Sequence, residues 1–359
     1  PLRAGVFLES FGGRSGGDNP AAICEDLAAH GVAAPLWWSV VDGTVRVPTG
    51  ARPVVVGSPQ WVEALRTSRV IVTNDHLPSW FSKREGQHLL QTWHGTPIKK
   101  LLHDAPRTVT LRYRRLMARQ VPQWDLLLAQ TPQAGRRLQR ALGYHGQVRV
   151  GEYPRNVRLL GGAEVRRRVR HELGIGQEQP VILYAPTWRE SLRPDKRAVD
   201  CGTAGGPGPA GALDGEHLAD RLGAVVLMRS HHMNRAGRVP GAIDVSGYPS
   251  VEELMLAADI LVSDYSSIFF DFALTGKPAV VYTPDLASYR DVERGLYGDW
   301  PLDSGLPVAV DYEGLTSHLR RILGDIDDAE SGCALPEVDP APILDNLAWI
   351  RGWVTRFLS

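Results

Sequence analysis

The chain has 359 residues, of which 43% are hydrophobic and 22% charged, values typical of a globular protein with room for two domains. Its 40 Lys and Arg residues balance its 40 Asp and Glu residues, which argues against a protein whose net charge attracts nucleic acid or another charged polymer. Cys24, Cys201 and Cys333 show neither a C-x-x-C spacing nor an even count, which excludes an evident disulfide framework or zinc site and favours a reducing cytoplasmic setting.

The sequence shows no signal peptide and no apolar run of about 18 residues, so we expect no membrane-spanning segment. The chain begins with Pro1 rather than Met. We therefore expect a trimmed or excised domain, to which an upstream domain can be fused.

Predicted strands alternate with helices through the first 160 residues, and this pattern predicts a parallel, doubly wound α/β sheet. The predicted strands are 5–8, 36–40, 53–56, 70–73 and 125–129, with a further strand that runs into His94. Helices are predicted at 59–65 and in a segment that passes through Arg140.

A glycine-rich turn follows the first strand, at residues 12–17. Its glycines allow a tight turn and a close approach to a ligand, although the spacing is not the dinucleotide-binding one. Asn19 as N-cap and Pro20 in the first turn predict a helix that ends near Gly31. Taken alone, such a turn is common in α/β folds.

His94 stands at the carboxyl end of a predicted strand, just before Gly95, Thr96 and Pro97. In open α/β sheets ligands bind outside the carboxyl ends of strands. An imidazole there can take a proton from an attacking hydroxyl, or it can merely form a hydrogen bond with a loop. Both interpretations stay open on position alone.

Residues 107–119 (RTVTLRYRRLMAR) place five arginines among apolar residues, which predicts a basic amphipathic helix. Such a helix either accepts an anionic membrane surface or polymer, or is a solvated face packed on its own domain. The second interpretation is the more usual.

The second half repeats the alternation of strands and helices. Strands are predicted at 180–184, 225–228, 243–246, 260–262 and 279–282, and helices at 163–174, 250–257 and 268–274. The glycine- and proline-rich residues 192–215 predict a surface loop without chemistry. Residues 339–359 predict a closing helix whose apolar side carries Leu344, Leu347, Ile350, Trp353, Val354 and Phe357.

Asp264, Ser266 and Ser267 follow the predicted strand 260–262 and precede a helix. Hydroxyls and unpaired N–H groups at a helix N-terminus can bind an anion, or the serines can simply cap the helix. Thr187 and Arg189 follow another predicted strand, where they either reach a phosphate or act as ordinary turn residues.

Several stretches together resemble the CDP-glycerol glycerophosphotransferase family, whose members act in teichoic-acid and capsule synthesis. The W-H-G-T-P-x-K block around His94 and the S-D-Y-S-S block are specific as a pair. The matching residues, in the family's order, are 9–20, 73–101, 154–156, 184–190, 229–232 and 263–267.

The resemblance implies a glycosyltransferase-B architecture with two Rossmann-like domains. We expect an acceptor-side domain at 1–160, a domain that binds the CDP donor at 161–338, and a helix at 339–359 that crosses back to the first domain. No metal or other cofactor is expected.

The same resemblance implies a reaction in which glycerol phosphate passes from CDP-glycerol to a hydroxyl of a lipid-linked, polyol-phosphate or glycan acceptor, with release of CMP. His94 would take the acceptor's proton, across a cleft from the donor, and His231 would hold or protonate the phosphates. The donor-binding residues implied are Ser266, Ser267, Asp264, Thr187, Arg189, Arg229 and Ser246. The acceptor-side residues implied are Gly12, Gly13, Ser15, Asn19, Thr96 and Lys99.

Two departures bear on the identity of the donor. Val157 replaces the family's usual aspartate after P-R-N, and Tyr248 stands where related sequences carry a polar residue or histidine. The alternatives are a CDP-ribitol transferase, a nucleotide-sugar glycosyltransferase on the same fold, or a non-catalytic module that binds an anionic polymer. A cytoplasmic protein, attached peripherally to the inner membrane face through residues 107–119, fits a lipid-linked acceptor.

Overall fold

The computed structural model describes residues 1–105, 109–187, 213, 215–229, 241–293, 295–329 and 337–358. The strands in chain order are β1 (Arg3–Glu9), β2 (Leu36–Val40), β3 (Arg52–Val55), β4 (Ser68–Thr73), β5 (His88–Gln91), β6 (Leu126–Ala129), β7 (Gln147–Val150), β8 (Val181–Tyr184), β9 (Val225–Met228), β10 (Ala242–Asp244), β11 (Ile260–Ser263), β12 (Ala279–Tyr282) and β13 (Val308–Ala309). The helices are α1 (Asp18–Ala29), α2 (Pro59–Thr67), α3 (Leu111–Gln120), α4 (Pro132–Leu142), α5 (Gly162–Glu172), α6 (Gly215–Leu222), α7 (Val251–Ala257), α8 (Ile268–Phe272), α9 (Leu286–Ser288), α10 (Tyr312–Ala329) and α11 (Ala341–Arg356).

The chain divides into two compact units. The first comprises Pro1–Pro97, Leu101–Arg158 and Asp339–Ser359, and the second comprises Ile98–Lys100 and Leu159–Val338. The last helix, α11, therefore belongs to the first unit, where it packs on α1. Arg351 of α11 donates to both carboxylate oxygens of Asp26 in α1, at 2.7 and 2.9 Å.

The first unit is built on a seven-stranded parallel sheet in the order β3-β2-β1-β4-β5-β6-β7. The chain moves outward from β1 to β3 and then returns to place β4 on the other side of β1. Phe7 and Ile71, which pair across β1 and β4, are fully buried in a core that helices cover. This reversal of direction at β1 and β4 creates the crevice in which such sheets bind ligands.

The second unit repeats the plan in a six-stranded parallel sheet, ordered β10-β9-β8-β11-β12-β13. Successive residues of β8 enter different cores, because side chains alternate between the two faces of a strand. Val181 and Leu183 pack in one cluster, whereas Ile182 and Tyr184 pack in the other. Both faces are covered, which explains why these strands read as continuous apolar runs.

The predicted doubly wound α/β architecture is confirmed, and the predicted strands 36–40, 225–228 and 279–282 have the observed bounds. The sequence analysis missed β7, β13, α6 and α10. β7 is an edge strand with two exposed ends and no continuous apolar run, so its signal is weak. α10 carried a usable signal, since Leu315, Leu319, Ile322 and Leu323 follow helical spacing and are buried.

Two predicted helix details are wrong. α1 begins at Asp18 with Gly17 as its N-cap, so Asn19 lies inside the helix with a fully buried side chain. On α11, Leu344 is 47% exposed, and Ile343 takes its place in the core. Ile343 continues the helical spacing of Leu347, Ile350 and Val354, all of which are buried, whereas Leu344 falls outside that face. Among the described residues no helix has both the length and the apolar composition needed to cross a bilayer.

Candidate functional site

Asn74 links the carboxyl ends of β1 and β4, where the strand order of the first sheet reverses. It follows β4, and its Oδ1 accepts a hydrogen bond from the Phe11 N–H, 2.8 Å away, just beyond β1. Its Nδ2 donates to Ser10 Oγ at 3.2 Å. Because Asn74 is fully buried, these bonds fix the floor of the crevice.

His94 lies above this floor, three residues after the end of β5, and its side chain is exposed. Its Nδ1 is 2.8 Å from the backbone oxygen of Asn74. A carbonyl oxygen only accepts hydrogen bonds, so in the neutral imidazole Nδ1 carries the proton and Nε2 carries the lone pair. The ring stacks on Trp93 at a centroid distance of 4.8 Å and lies 5.5 Å from the ring of Phe11. His94 is thus held in the tautomer that a general base needs.

Asn19 and Arg155 hold the backbone beneath His94. Asn19 Nδ2 donates to the Trp93 oxygen at 3.2 Å, and Asn19 Oδ1 accepts from the Arg155 N–H at 3.2 Å. Arg155 Nη1 donates to the His94 oxygen at 2.9 Å and to Asp18 Oδ1 at 3.1 Å. Asn19 was predicted as an acceptor-side residue. In the structure its side chain is buried and holds the backbone next to His94.

The predicted glycine turn adopts left-handed backbone angles, with φ of +64° at Gly12 and +79° at Gly13. A Cβ on Gly13 would lie 2.8 Å from Val56 Cγ2, so only glycine fits at this place. Ser15 Oγ accepts from the Gly17 N–H at 3.1 Å and steadies the last part of the turn. These residues lie beyond the carboxyl end of β1, as the sequence predicted.

Two other predicted acceptor-side residues are placed differently. Thr96 is buried, and its hydroxyl donates to Gln130 Oε1 at 2.9 Å, so it supports the loop from inside. Lys99 lies in the short segment that belongs to the second unit, where it forms a β-bridge with Leu296. The structure groups Lys99 with the second unit, whereas the sequence placed it in the domain 1–160.

Glu9 is a buried carboxyl at the end of β1 that the sequence analysis gave no role. Ser39 Oγ donates to its Oε2 at 2.7 Å, and Trp61 Nε1 donates to Ser39 Oγ at 2.8 Å. Burial raises the pKa of Glu9 to about 7, and nearby Asp75 adds to the increase while Ser39 opposes it. An acidic residue at the carboxyl end of a central strand was the signal that could have identified it.

The second unit has a matching bridge at its own reversal point, between β8 and β11. Asp264 Oδ1 accepts from the Thr187 N–H at 2.9 Å and from the Tyr265 N–H at 2.6 Å. Ser263 Oγ donates to the Ala185 oxygen at 2.6 Å. Asp264 occupies the place that Asn74 has in the first unit. Its buried carboxylate orients the strand ends by accepting from backbone N–H groups.

Ser266 and Ser267 precede α8 and are both half-buried. Ser266 Oγ accepts from the Ile268 N–H at 3.3 Å, while the Ser267 side chain makes no cap hydrogen bond within the described chain. The helix is shorter than predicted, since α8 passes into a 3-10 turn at Ala273–Thr275 before Gly276. Simple capping therefore explains Ser266 but not Ser267.

Arg229 follows β9, and its Nη1 donates to the backbone oxygens of Val245, at 3.2 Å, and Tyr248, at 2.8 Å. Burial lowers the pKa of Arg229, although Glu252 acts in the opposite direction. A guanidinium stays charged in proteins, so this half-buried cation favours an anion nearby. Ser246 lies in the same loop, where its N–H donates to Asp244 Oδ1 at 2.9 Å.

Tyr248, the residue that departs from the family pattern, points its hydroxyl to Glu253 Oε2 at 2.8 Å and Glu172 Oε2 at 3.2 Å. The backbone oxygen of Tyr248, rather than its side chain, accepts the hydrogen bond from Arg229. Two further predicted site residues, His231 and Arg189, lie outside the described residues.

The two parallel sheets have the same strand order, and in each the order reverses at the first strand of the unit, β1 or β8. This arrangement defines a protein with the Rossmann-like units of the glycosyltransferase-B fold. Residues 3–333 match the family model of the CDP-glycerol:poly(glycerophosphate) glycerophosphotransferases. The chain belongs to that family, and the resemblance noted in the sequence is confirmed.

The chain is similar to curated and solved members of the family. It is 31% identical, over 89% of its length, to the teichoic acid poly(glycerol phosphate) polymerase of Bacillus subtilis, of which it spans 44%. It is 30% identical, over 88% of its length, to the teichoic acid glycerol-phosphate transferase of Staphylococcus aureus, of which it spans 83%. The solved wall teichoic acid polymerase TagF superimposes with a TM-score of 0.81 at 27% identity, over 99% of this chain and 90% of that one.

Proposed function

We propose that this protein transfers glycerol phosphate from CDP-glycerol to a hydroxyl of a polyol-phosphate or lipid-linked acceptor and releases CMP. The observation that carries the proposal is His94, an exposed imidazole whose Nδ1 proton is fixed by a backbone oxygen. Two kinds of comparison support the donor. The relatives matched over 88–89% of this chain include a glycerol-phosphate polymerase and a glycerol-phosphate transferase, whereas the ribitol-phosphate polymerases match over 49% of it. A TagF variant was also solved after a soak with CDPG.

His94 Nε2 takes the proton of the acceptor hydroxyl as that oxygen attacks the β-phosphorus of the donor. One phosphorus–oxygen bond forms to the acceptor, and the bond between the β-phosphorus and the CMP oxygen breaks, with its electron pair leaving on CMP. Phosphoryl transfer leaves a protein little covalent work, so positioning and charge stabilisation supply most of the acceleration. General-base catalysis by His94 adds a contribution of about 10²–10⁴-fold.

The second unit binds the donor at the carboxyl ends of β8, β9 and β11. Arg229 supplies a cation for the diphosphate, and Ser266 and Ser267 supply hydroxyl donors. Asp264 orients the Thr187 backbone. By family pattern, His231 and Arg189 are further donor-site residues, and the loop of Ser246 borders the site.

The first unit binds the acceptor at the carboxyl ends of β1 and β4. The left-handed turn at Gly12 and Gly13 follows Phe11, whose ring lies 5.5 Å from the ring of His94, so this turn borders the acceptor site. Ser15 adds a hydroxyl at the end of the same turn.

The test is release of CMP from CDP-glycerol in the presence of a glycerol-phosphate-primed acceptor, with CDP-ribitol and a UDP-sugar as competing donors. We expect CMP release to depend on the acceptor and to be at least tenfold faster with CDP-glycerol. A preference for CDP-ribitol would move the protein to the ribitol branch. Turnover of the UDP-sugar alone would contradict the proposal.

We propose further that the basic face of α3 contacts an anionic membrane surface. Arg112, Arg115 and Arg119 are exposed and Leu111 is 71% exposed, while Met117 and Gln120 anchor the other face in the unit. Each arginine near an anionic bilayer contributes about 1 kcal/mol. Arg107, the first arginine of the predicted helix, lies outside the described residues.

The measurement is co-sedimentation with vesicles of phosphatidylglycerol and phosphatidylcholine. Replacing the three α3 arginines with Glu is expected to weaken partitioning into phosphatidylglycerol vesicles by at least about 100-fold, since three such contributions sum to about 3 kcal/mol. A control with Arg320→Glu and Arg321→Glu, exposed on α10, should change it by less than about threefold. Equal losses in both variants would mean that net charge alone, rather than α3, is responsible.

A further inference from the structure

We propose that Arg155 is a positioning residue for His94, acting through the backbone of the loop that carries the imidazole. The inference rests on the proposed role of His94 as the base. Arg155 lies 61 residues from His94 in the chain, yet its Nη1 is 2.9 Å from the His94 oxygen. Contact with substrate is not part of this role.

The side chain of Arg155 is itself held in place, so it can fix the backbone position of His94. Its side chain is 8% exposed, and Nη1 is also 3.1 Å from Oδ1 of Asp18, which is 10% exposed. The guanidinium lies over the Tyr153 ring at 5.0 Å. The backbone N–H of Arg155 donates to Asn19 Oδ1. A planar group that is paired and stacked in this way has little freedom to move.

The residues that this network joins are themselves in an unusual backbone conformation. Asp18 has φ of +65° and Trp93 has φ of +54°, and neither is glycine. L-residues persist in the left-handed region only where their surroundings impose it, and such strain clusters at active sites. Asn19 binds the Trp93 oxygen and Arg155 binds the His94 oxygen, so the two residues clamp the strained peptide from one side.

The ring of His94 is held by the bond between its Nδ1 and the Asn74 oxygen. The imidazole is therefore set by two separate constraints, one on its ring and one on its backbone. Loss of the backbone constraint lets the peptide relax and tilts the ring away from the proton it must take. A displacement of about 1 Å can cost a hundredfold in rate.

The experiment compares Arg155→Lys with Arg158→Lys, each in wild-type and His94→Gln backgrounds. Lysine keeps the charge beside Asp18 but lacks the planar guanidinium that lies over the Tyr153 ring and holds Nη1 in place. Arg158 is a matched control, three residues on, whose Nη2 pairs with Glu25 at 3.0 Å. We expect R155K to lower kcat about 10–100-fold with KM for CDP-glycerol within about threefold, and R158K to leave kcat within about twofold.

In the His94→Gln background R155K should lower kcat by less than about twofold, because residues that act as a unit are not additive. A reduction by the same factor in both backgrounds, or a kcat for R155K within about twofold of wild type, would overturn the proposal. A second measurement is independent of turnover. The C2-proton resonance of His94, assigned from its loss in His94→Gln, should shift in R155K and stay in place in R158K.

If the wild type releases no CMP, the proposed function fails while the resonance still tests the clamp. An unmoved His94 resonance in a folded R155K protein, judged by an unchanged unfolding midpoint, refutes the clamp whatever the activity.

Discussion

His94→Gln is expected to lower kcat for CMP release about 10²–10⁴-fold, the usual contribution of a general base. Glutamine has no group that accepts a proton near neutral pH, although its amide can still fill the space beside Trp93. KM for CDP-glycerol should change little, because the donor is assigned to the second unit. The measurement is the steady-state rate at saturating CDP-glycerol.

The matched control is His88→Gln, at the opposite end of the same strand. The His88 ring stacks on Phe357 at a centroid distance of 3.5 Å, and burial lowers its pKa. That variant should keep kcat within about threefold of wild type, since His88 begins β5 whereas His94 lies beyond the other end of the strand. Retention of more than a tenth of wild-type kcat by His94→Gln would remove His94 as the base.

Glu9→Gln is expected to stabilise the folded protein at pH 8 by about 3 kcal/mol, and to make little difference below about pH 4.5. The pKa of Glu9 is raised to about 7 in the folded state from an ordinary 4.5. Each unit of difference corresponds to about 1.4 kcal/mol. Below about pH 4.5 the carboxyl is protonated in both states and costs nothing. As pH rises toward 7 the unfolded state loses its proton first, so folding becomes less favourable.

The measurement is denaturant-induced unfolding of both proteins between pH 4.5 and 8.5. Glutamine keeps an oxygen that accepts from Ser39, so the buried hydrogen bond survives the change. The control is Glu63→Gln, a carboxyl that is 53% exposed and paired with exposed Arg3, for which we expect less than about 0.5 kcal/mol at any pH. A Glu9→Gln protein that is destabilised equally at both ends of the range would show that the buried carboxylate is not a cost.

The sequence was enough to predict the sheets and the strand whose carboxyl end precedes His94, because these depend on local apolar runs. It could not predict what surrounds His94. The contacts to Trp93 and His94 come from Asn19 and Arg155, which are 74 and 61 residues away in the chain. Helix propensity predicted Asn19 as the N-cap, whereas in the structure its buried amide forms hydrogen bonds with the backbone of Trp93 and Arg155.

The serines of the second unit show a different limit. Their position before a helix was predicted correctly, but the pattern D-x-S-S could not separate the roles of its members. Asp264 accepts from the backbone of Thr187 across the reversal point, and this pairing depends on strand order rather than on local sequence. Asn74 and Asp264 became comparable only when both sheets were seen to have the same order.

The placement of α11 has a consequence for how the protein folds during its synthesis on the ribosome. Nearly all of the second unit is one continuous stretch, whereas the first unit needs residues from 339 onward to cover α1. A nascent chain therefore holds the material for the later domain before the earlier one is complete. Since domains fold as units during synthesis, the domain that is translated first must wait, with one flank uncovered, for the final helix to emerge.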